Sequence, residues 1–276
     1  EDVTMPMEVN RRELKARARE QLRASHPAFW RITLVYLLLT SGVAAVADLA
    51  GAARIGLPPV HLDTFALFLA LLVTLYTMVM GLGYQWWALR TYRRQPTGYG
   101  ALIDGFSMAG RVILMNVVIF FSALGWAVAF ALPSSLVLLL LSGLLSSGGG
   151  MLFLYLLAMG GTFLGSLWIG YRYAMAPYLL IDHPEQGAGT AVRESVAMMQ
   201  GWKWEFCKLD LSFLGWSILC WLTLGILNIW IAPYKEQANV GYFQEIKKIK
   251  GIGYQPPQDG GEDDEFRPID PFGPSY

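Results

Sequence analysis

Long uncharged runs alternate with short basic stretches along most of the chain. A hydrocarbon core about 30 Å thick is crossed by about 20 apolar residues in a helix. Runs of that length extend from Phe29 to Ala50, Leu62 to Trp87, Val112 to Leu132, Met151 to Ile181 and Leu209 to Ile231. Each predicts a membrane-crossing helix. Pro133 is expected to break the third. Residues 134–150 then hold only about 12 apolar residues before a triple glycine, too short to cross. They are expected to form a separate short helix in or on the outer leaflet. A long charged stretch precedes the first run and no small-residue site closes it, which argues against a cleavable signal peptide.

Lys and Arg set the orientation. Arg11, Arg12, Lys15, Arg17, Arg19 and Arg23 precede the first run, which places the N-terminus in the cytoplasm. Arg54 follows the first run, and Arg90, Arg93, Arg94 and Arg111 follow the second. Lys235, Lys247, Lys248, Lys250 and Arg267 follow the last. Five crossings would leave those C-terminal cations outside. A turn near Thr223–Gly225, with a return through residues 226–246, brings them inside and makes six. Six crossings are the reading adopted, with five as the alternative.

Two shorter segments are amphipathic. Asn10 and Glu13 suit a capping box, and Leu14, Ala18 and Leu22 share one face beneath a basic coat. That helix is expected to lie on the anionic inner leaflet or to serve as a topology signal. Residues 190–201 place Val192, Val196 and Met199 on one face of a second interfacial helix. The last residues, rich in Pro, Gly and acid, bury too little apolar area to order themselves. The division expected is a basic helical segment over 1–27, a membrane domain over 28–246 and a disordered tail over 247–276.

Composition agrees. The chain is 54% hydrophobic and 15% charged, against about 25% charged in soluble domains. Its formal net charge is +0, so no basic field attracts nucleic acid. Cys207 and Cys220 make no disulfide framework or CxxC. No phosphate-binding glycine loop, HExxH or GxSxG occurs, so no cofactor, metal or catalytic residue is assigned. His26, His61 and His183 are scattered. Ser195 is expected to pack or cap. Trp86, Trp87, Tyr92, Trp202, Trp204, Trp230 and Tyr234 are expected to form interfacial belts.

Ionisable groups at membrane depth are costly and hence candidates for function. Arg172, Asp182, Lys208 and Asp210 are expected to cluster at the cytoplasmic mouth. The cluster is either a set of topology-fixing ion pairs or a pocket for an ion or polar headgroup. Small residues Ala123, Ala127 and Ala131, Gly161 and Gly165, and Ser166 and Gly170 recur every fourth position. Such spacing suits close helix contacts in lipid.

Tyr173-Ala-Met-Ala-Pro-Tyr178, Asp182-His-Pro184, Ser195, Met199, Gly201, Lys203, Leu211-Ser-Phe-Leu-Gly-Trp216, Leu224-Gly225 and Pro233-Tyr234 resemble a bacterial membrane family, domain of unknown function 975. The basic N-terminal helix, Gly83 to Arg90 and Asp104-Gly-Phe106 add to the likeness. His183 stands where that family usually has Asn. The resemblance implies an all-α polytopic bundle in the bacterial cytoplasmic membrane and supplies no reaction. The expected partners are the lipid bilayer and a protein docking on the N-terminal helix or acidic tail. A non-enzymatic scaffold or accessory subunit is the leading reading, with a transporter or lipid- or ion-handling protein as its alternative.

Overall fold

The computed structural model describes residues 10–25, 28–52, 62–142 and 148–251. All regular structure among them is helical. Helix α1 (Arg11–Ala24) starts at Asn10, whose side chain accepts from the backbone N–H groups of Arg12 and Glu13. Glu13 pairs with Arg17 instead of completing the box. Helices α2 (Phe29–Ala52) and α3 (Leu62–Tyr92) follow, then α4 (Gly100–Asp104) and a 3₁₀ turn into α5 (Ala109–Ser142). Helix α6 (Gly148–Tyr173) leads into four short ones, α7 (Ala176–Asp182), α8 (Ala188–Met198), α9 (Lys203–Leu211) and α10 (Leu214–Leu222). The last described helix is α11 (Asn228–Lys250).

Four segments are long and apolar enough to cross a membrane: Phe29–Leu49, Ala66–Tyr92, Gly100–Ala129 and Leu152–Asp182. Most of their large apolar side chains point outward, among them Leu38, Leu72, Phe120, Phe121 and Phe163. A continuous apolar exterior of this kind is stable against lipid tails rather than water. The run from Leu209 to Ile231 is not one rod. It breaks at Ser212–Phe213 and again over residues 223–227, where Leu224 and Gly225 take positive φ.

The region after Pro133 departs from expectation. Helix α5 continues through the proline to Ser142, so residues 134–142 extend the third apolar helix. A proline removes one backbone donor, and the next turn keeps its own bonds, with Ser135 Oγ donating to the Leu132 carbonyl. The glycines Gly148–Gly150 open α6. Residues 247–250, expected to open the tail, are helical, because α11 runs to Lys250 and Gly251 closes it in a left-handed conformation. Residues 252–276, His26 and His61 lie outside the described residues.

Most of the buried side chains gather at one end of the bundle. The second half of α3, helices α4, α7 and α8 and the second half of α11 contribute Trp87, Leu102, Leu180, Met198, Tyr242 and Phe243. Trp87 and Trp202 belong to this core and not to an aromatic belt. Helix α1 lays Leu14, Ala18 and Leu22, all buried, against α11 rather than against lipid. Backbones meet most closely where α3 crosses α4. A Cβ on Gly83 would collide with the Leu102 carbonyl, and one on Gly105 would lie 2.7 Å from the Val79 carbonyl oxygen.

Candidate functional site

The polar side chains converge on the same end. Asp182 closes α7 with its side chain 4% exposed. Arg93, just past α3, reaches it from one side, with Nη2 at 2.7 Å from Oδ1. Lys247 of α11 reaches it from the other, with Nζ at 2.6 Å from Oδ2 and a side chain 6% exposed. The Gln244 amide, with its oxygen facing Arg93, accepts from Nη2 at 3.0 Å. Both hydrogen bonds to the carboxylate fall on Oδ2, and Oδ1, beside the Arg93 guanidinium, accepts none among the described residues. The effect is to lock α3, α7 and α11 together.

The other expected members of this cluster have different partners. Asp210 of α9 pairs with Lys235 of α11 at 2.5 Å and accepts from the Tyr171 hydroxyl at 3.2 Å. Lys208 pairs with Glu205 one turn earlier on α9. Arg172 lies over the Trp126 ring at 5.4 Å, and its enclosed Nε has no acceptor among the described residues. Ser195 sits fully buried beneath it. Its hydroxyl donates to the Arg172 carbonyl at 2.9 Å and accepts from the Met175 N–H at 3.3 Å, which caps the break between α6 and α7.

Arg172 borders a groove of 580 Å³ between α5, α6 and α8. Val118 and Ser122 form one wall, and Thr190, Arg193 and Val196 form another. Arg193 donates to Thr190 Oγ1 at 3.3 Å. Neither arginine has a carboxylate partner among the described residues. Two cations over an apolar floor suit an anion carrying a nonpolar tail.

A second buried contact joins α7 to α11. The Tyr178 hydroxyl donates to Glu236 Oε1 at 2.6 Å. Burial raises the Glu236 pKa above the ordinary carboxyl range, against the opposing pull of this hydrogen bond and of Lys235. Next to it, Gln237 donates to the Ala88 carbonyl at 2.9 Å.

The base of the α10–α11 hairpin is tied to α1. Lys15 Nζ donates to the Ser212 carbonyl and lies 4.3 Å from the Phe213 ring centroid. Arg19 Nε donates to the Tyr234 hydroxyl at 3.3 Å. Burial, then the charges of Arg19 and Arg11, lower the Lys15 pKa.

The stripes of small residues face away from the chain's own helices. A methyl on Gly161, Gly165 or Gly170 would meet nothing within 4 Å. Ser166 and Ala127 are exposed and Ala123 is half-buried, while the Ala131 side chain lies outside what is described.

The sequence reading missed Arg93, Lys247, Gln244, Tyr178, Glu236 and Arg193. One signal for two of these, Gln244 and Lys247, was present. Gln237, Gln244 and Lys247 fall on one face of a helix and are all buried, a polar stripe that only internal partners can satisfy.

An outward-facing apolar shell on a closely packed basic end defines an all-α membrane protein of multi-pass type. The family described as protein of unknown function, DUF975, matches residues 5–250, and the chain belongs to it. No curated protein and no solved structure matches the chain.

Proposed function

We propose that this protein is a non-enzymatic membrane module, a scaffold or accessory subunit, of the bacterial cytoplasmic membrane with both termini on the cytoplasmic side. The observation that carries this reading is the Asp182 centre, where Arg93 and Lys247 close on one buried carboxylate from two sides. A carboxylate held between two cations in a packed core acts as a brace between helices. The terminal charge supports an even number of crossings, because Lys15 and Lys247 then share one side. Four and six both meet that rule, and five does not. The partner surfaces are the exposed basic face of α1, the acidic tail and the outward small residues Gly161, Gly165, Ser166 and Gly170. The test is flux. Purified protein in sealed proteoliposomes is expected to carry no ion or solute down an imposed gradient. Substrate-dependent flux from this protein alone overturns the reading.

The groove supports a second reading, that of a lipid- or ion-handling protein with a polar site at the cytoplasmic mouth. Arg172 and Arg193 are its binding residues, while Lys208, Asp182 and Asp210 are paired elsewhere and do not line the groove. Under this reading Arg172→Ala abolishes flux, or retention of anionic lipid, while folding and insertion stay intact. If Arg172→Ala instead inserts wrongly, its role is to fix topology.

A further inference from the structure

The segment between Phe213 and Tyr234 is mostly apolar, and its first arm and its turn face outward while much of the second arm is half-buried. Trp216, Leu219, Trp221, Leu222, Ile226 and Trp230 are all exposed, and Leu224 at the turn is 93% exposed. Both ends of the segment are fixed at one level. Lys15 holds Ser212 and Phe213, Arg19 holds Tyr234, and Lys235 pairs with Asp210. All three of those cations lie on or beside α1 or at the base of α11. The turn therefore projects from a ring of basic side chains.

Length decides how far it projects. From Phe213 to Leu224, and from Leu224 back to Tyr234, the rise at 1.5 Å per residue is about 16 Å on each arm. The hydrocarbon core is about 30 Å thick. Helix α2, which packs on α11, has 24 residues and a length of about 36 Å. The hairpin reaches roughly halfway along such a rod. Backbone inside hydrocarbon must satisfy its own polar groups, and the turn does so. The N–H groups of Leu224, Gly225, Ile226 and Asn228 donate to Trp221, Cys220, Thr223 and Gly225 carbonyls. Thr223 Oγ1 donates back to Leu219.

We infer that residues 213–234 form a re-entrant hairpin that enters and leaves the bilayer on the cytoplasmic side, its apolar surface covered by the acyl chains of that leaflet. The inference rests on the membrane reading above and implies four crossings. The basic ring at the base meets anionic headgroups, and the apolar arms meet the tails beneath them. Closely packed interhelical contacts are absent from most of the hairpin surface, as expected for a body whose neighbour is lipid.

Single cysteines test it in the full-length chain, in a C207S/C220S background. Leu224→Cys probes the tip, Arg193→Cys the cytoplasmic side, Asp48→Cys the outer end of α2 and Phe163→Cys the middle of α6. A charged, membrane-impermeant maleimide is applied to intact cells and to inverted vesicles. Spin labels at the same positions are read for access to oxygen and to a nickel chelate. The tip is expected to react at least about tenfold more slowly than Arg193→Cys from the cytoplasmic side and than Asp48→Cys from the outside, since a charged reagent is excluded from hydrocarbon. Its spin label is expected to favour oxygen over nickel, as Phe163→Cys does. Reaction at the tip from the outer side alone makes the hairpin a pair of full crossings and overturns the inference. Reaction from the cytoplasmic side at the rate of Arg193→Cys puts the hairpin in water and overturns it as well. If Phe163→Cys also labels freely in water, the membrane reading itself has failed.

Discussion

The Lys15 ammonium donates to the backbone carbonyl of Ser212, 3.1 Å away and 197 residues further along the chain. The same group lies over Phe213. One side chain on the first helix thus secures the base of the last apolar hairpin. Lys15→Met keeps most of the stem and removes the donor and charge. A net loss of about 1 kcal/mol is expected for one such hydrogen bond. Hydrogen exchange should accelerate over residues 212–216 and stay unchanged in α5. Uniform acceleration would show that Lys15 supports the whole fold rather than this joint.

Gly83 and Gly105 make the tightest backbone approach in the described chain. Gly83→Ala forces a methyl into a carbonyl that cannot move aside as a flexible side chain does. A loss of about 1–3 kcal/mol, or more, is expected. Gly161→Ala meets open space and should stay within about 0.5 kcal/mol in detergent. Thermal unfolding of the two variants in one detergent compares them directly. Equal midpoints would remove the argument for close packing at Gly83.

The Asp182 centre should behave as a buried pair broken from one side. Asp182→Asn leaves Lys247 and Arg93 with less compensation, at a cost of about 3–5 kcal/mol. Lys247→Met in the same chain should restore part of that loss, since the stranded ammonium is gone. Denaturant unfolding of both singles and the double closes the cycle. Strict additivity would mean that the two groups do not act on each other.

Glu236 gives stability a pH dependence. Its pKa is raised in the folded chain, so the folded state holds a proton that the unfolded state has released over the window above the ordinary carboxyl value. Stability therefore falls as pH rises through that window and is lowest above the raised folded value. Glu236→Gln removes this loss while leaving an acceptor for Tyr178. The variant should match the parent near about pH 4, where the free carboxyl is largely protonated, and exceed it as pH rises. An advantage that does not change with pH would place its cause elsewhere.

The apolar helices were legible because hydrocarbon demands length, and length is visible in one dimension. The cap at Asn10 and the stripe of Leu14, Ala18 and Leu22 were legible for the same reason, since helical period is local. The turn at Thr223–Gly225 was legible from its sequence too, but not the depth of the hairpin. That depth depends on where its ends are held, and the holding residues Lys15 and Arg19 lie far away in the chain. Pro133 misled because an apolar surrounding favours keeping every remaining backbone bond, so the helix continues past it. Partners of Asp182 were hidden similarly. Arg172 was nearer in sequence, yet Arg93 and Lys247 arrive through packing that no spacing records.

Helix α1 owes its seat to α11, which a ribosome makes about 200 residues later. At about 5–20 residues per second, α1 waits on the order of ten seconds or longer for its mate. During that interval Leu14, Ala18 and Leu22 have no protein to cover them. A basic amphipathic helix in that interval is expected to shelter its apolar face on the bilayer surface beside it before taking its groove on α11.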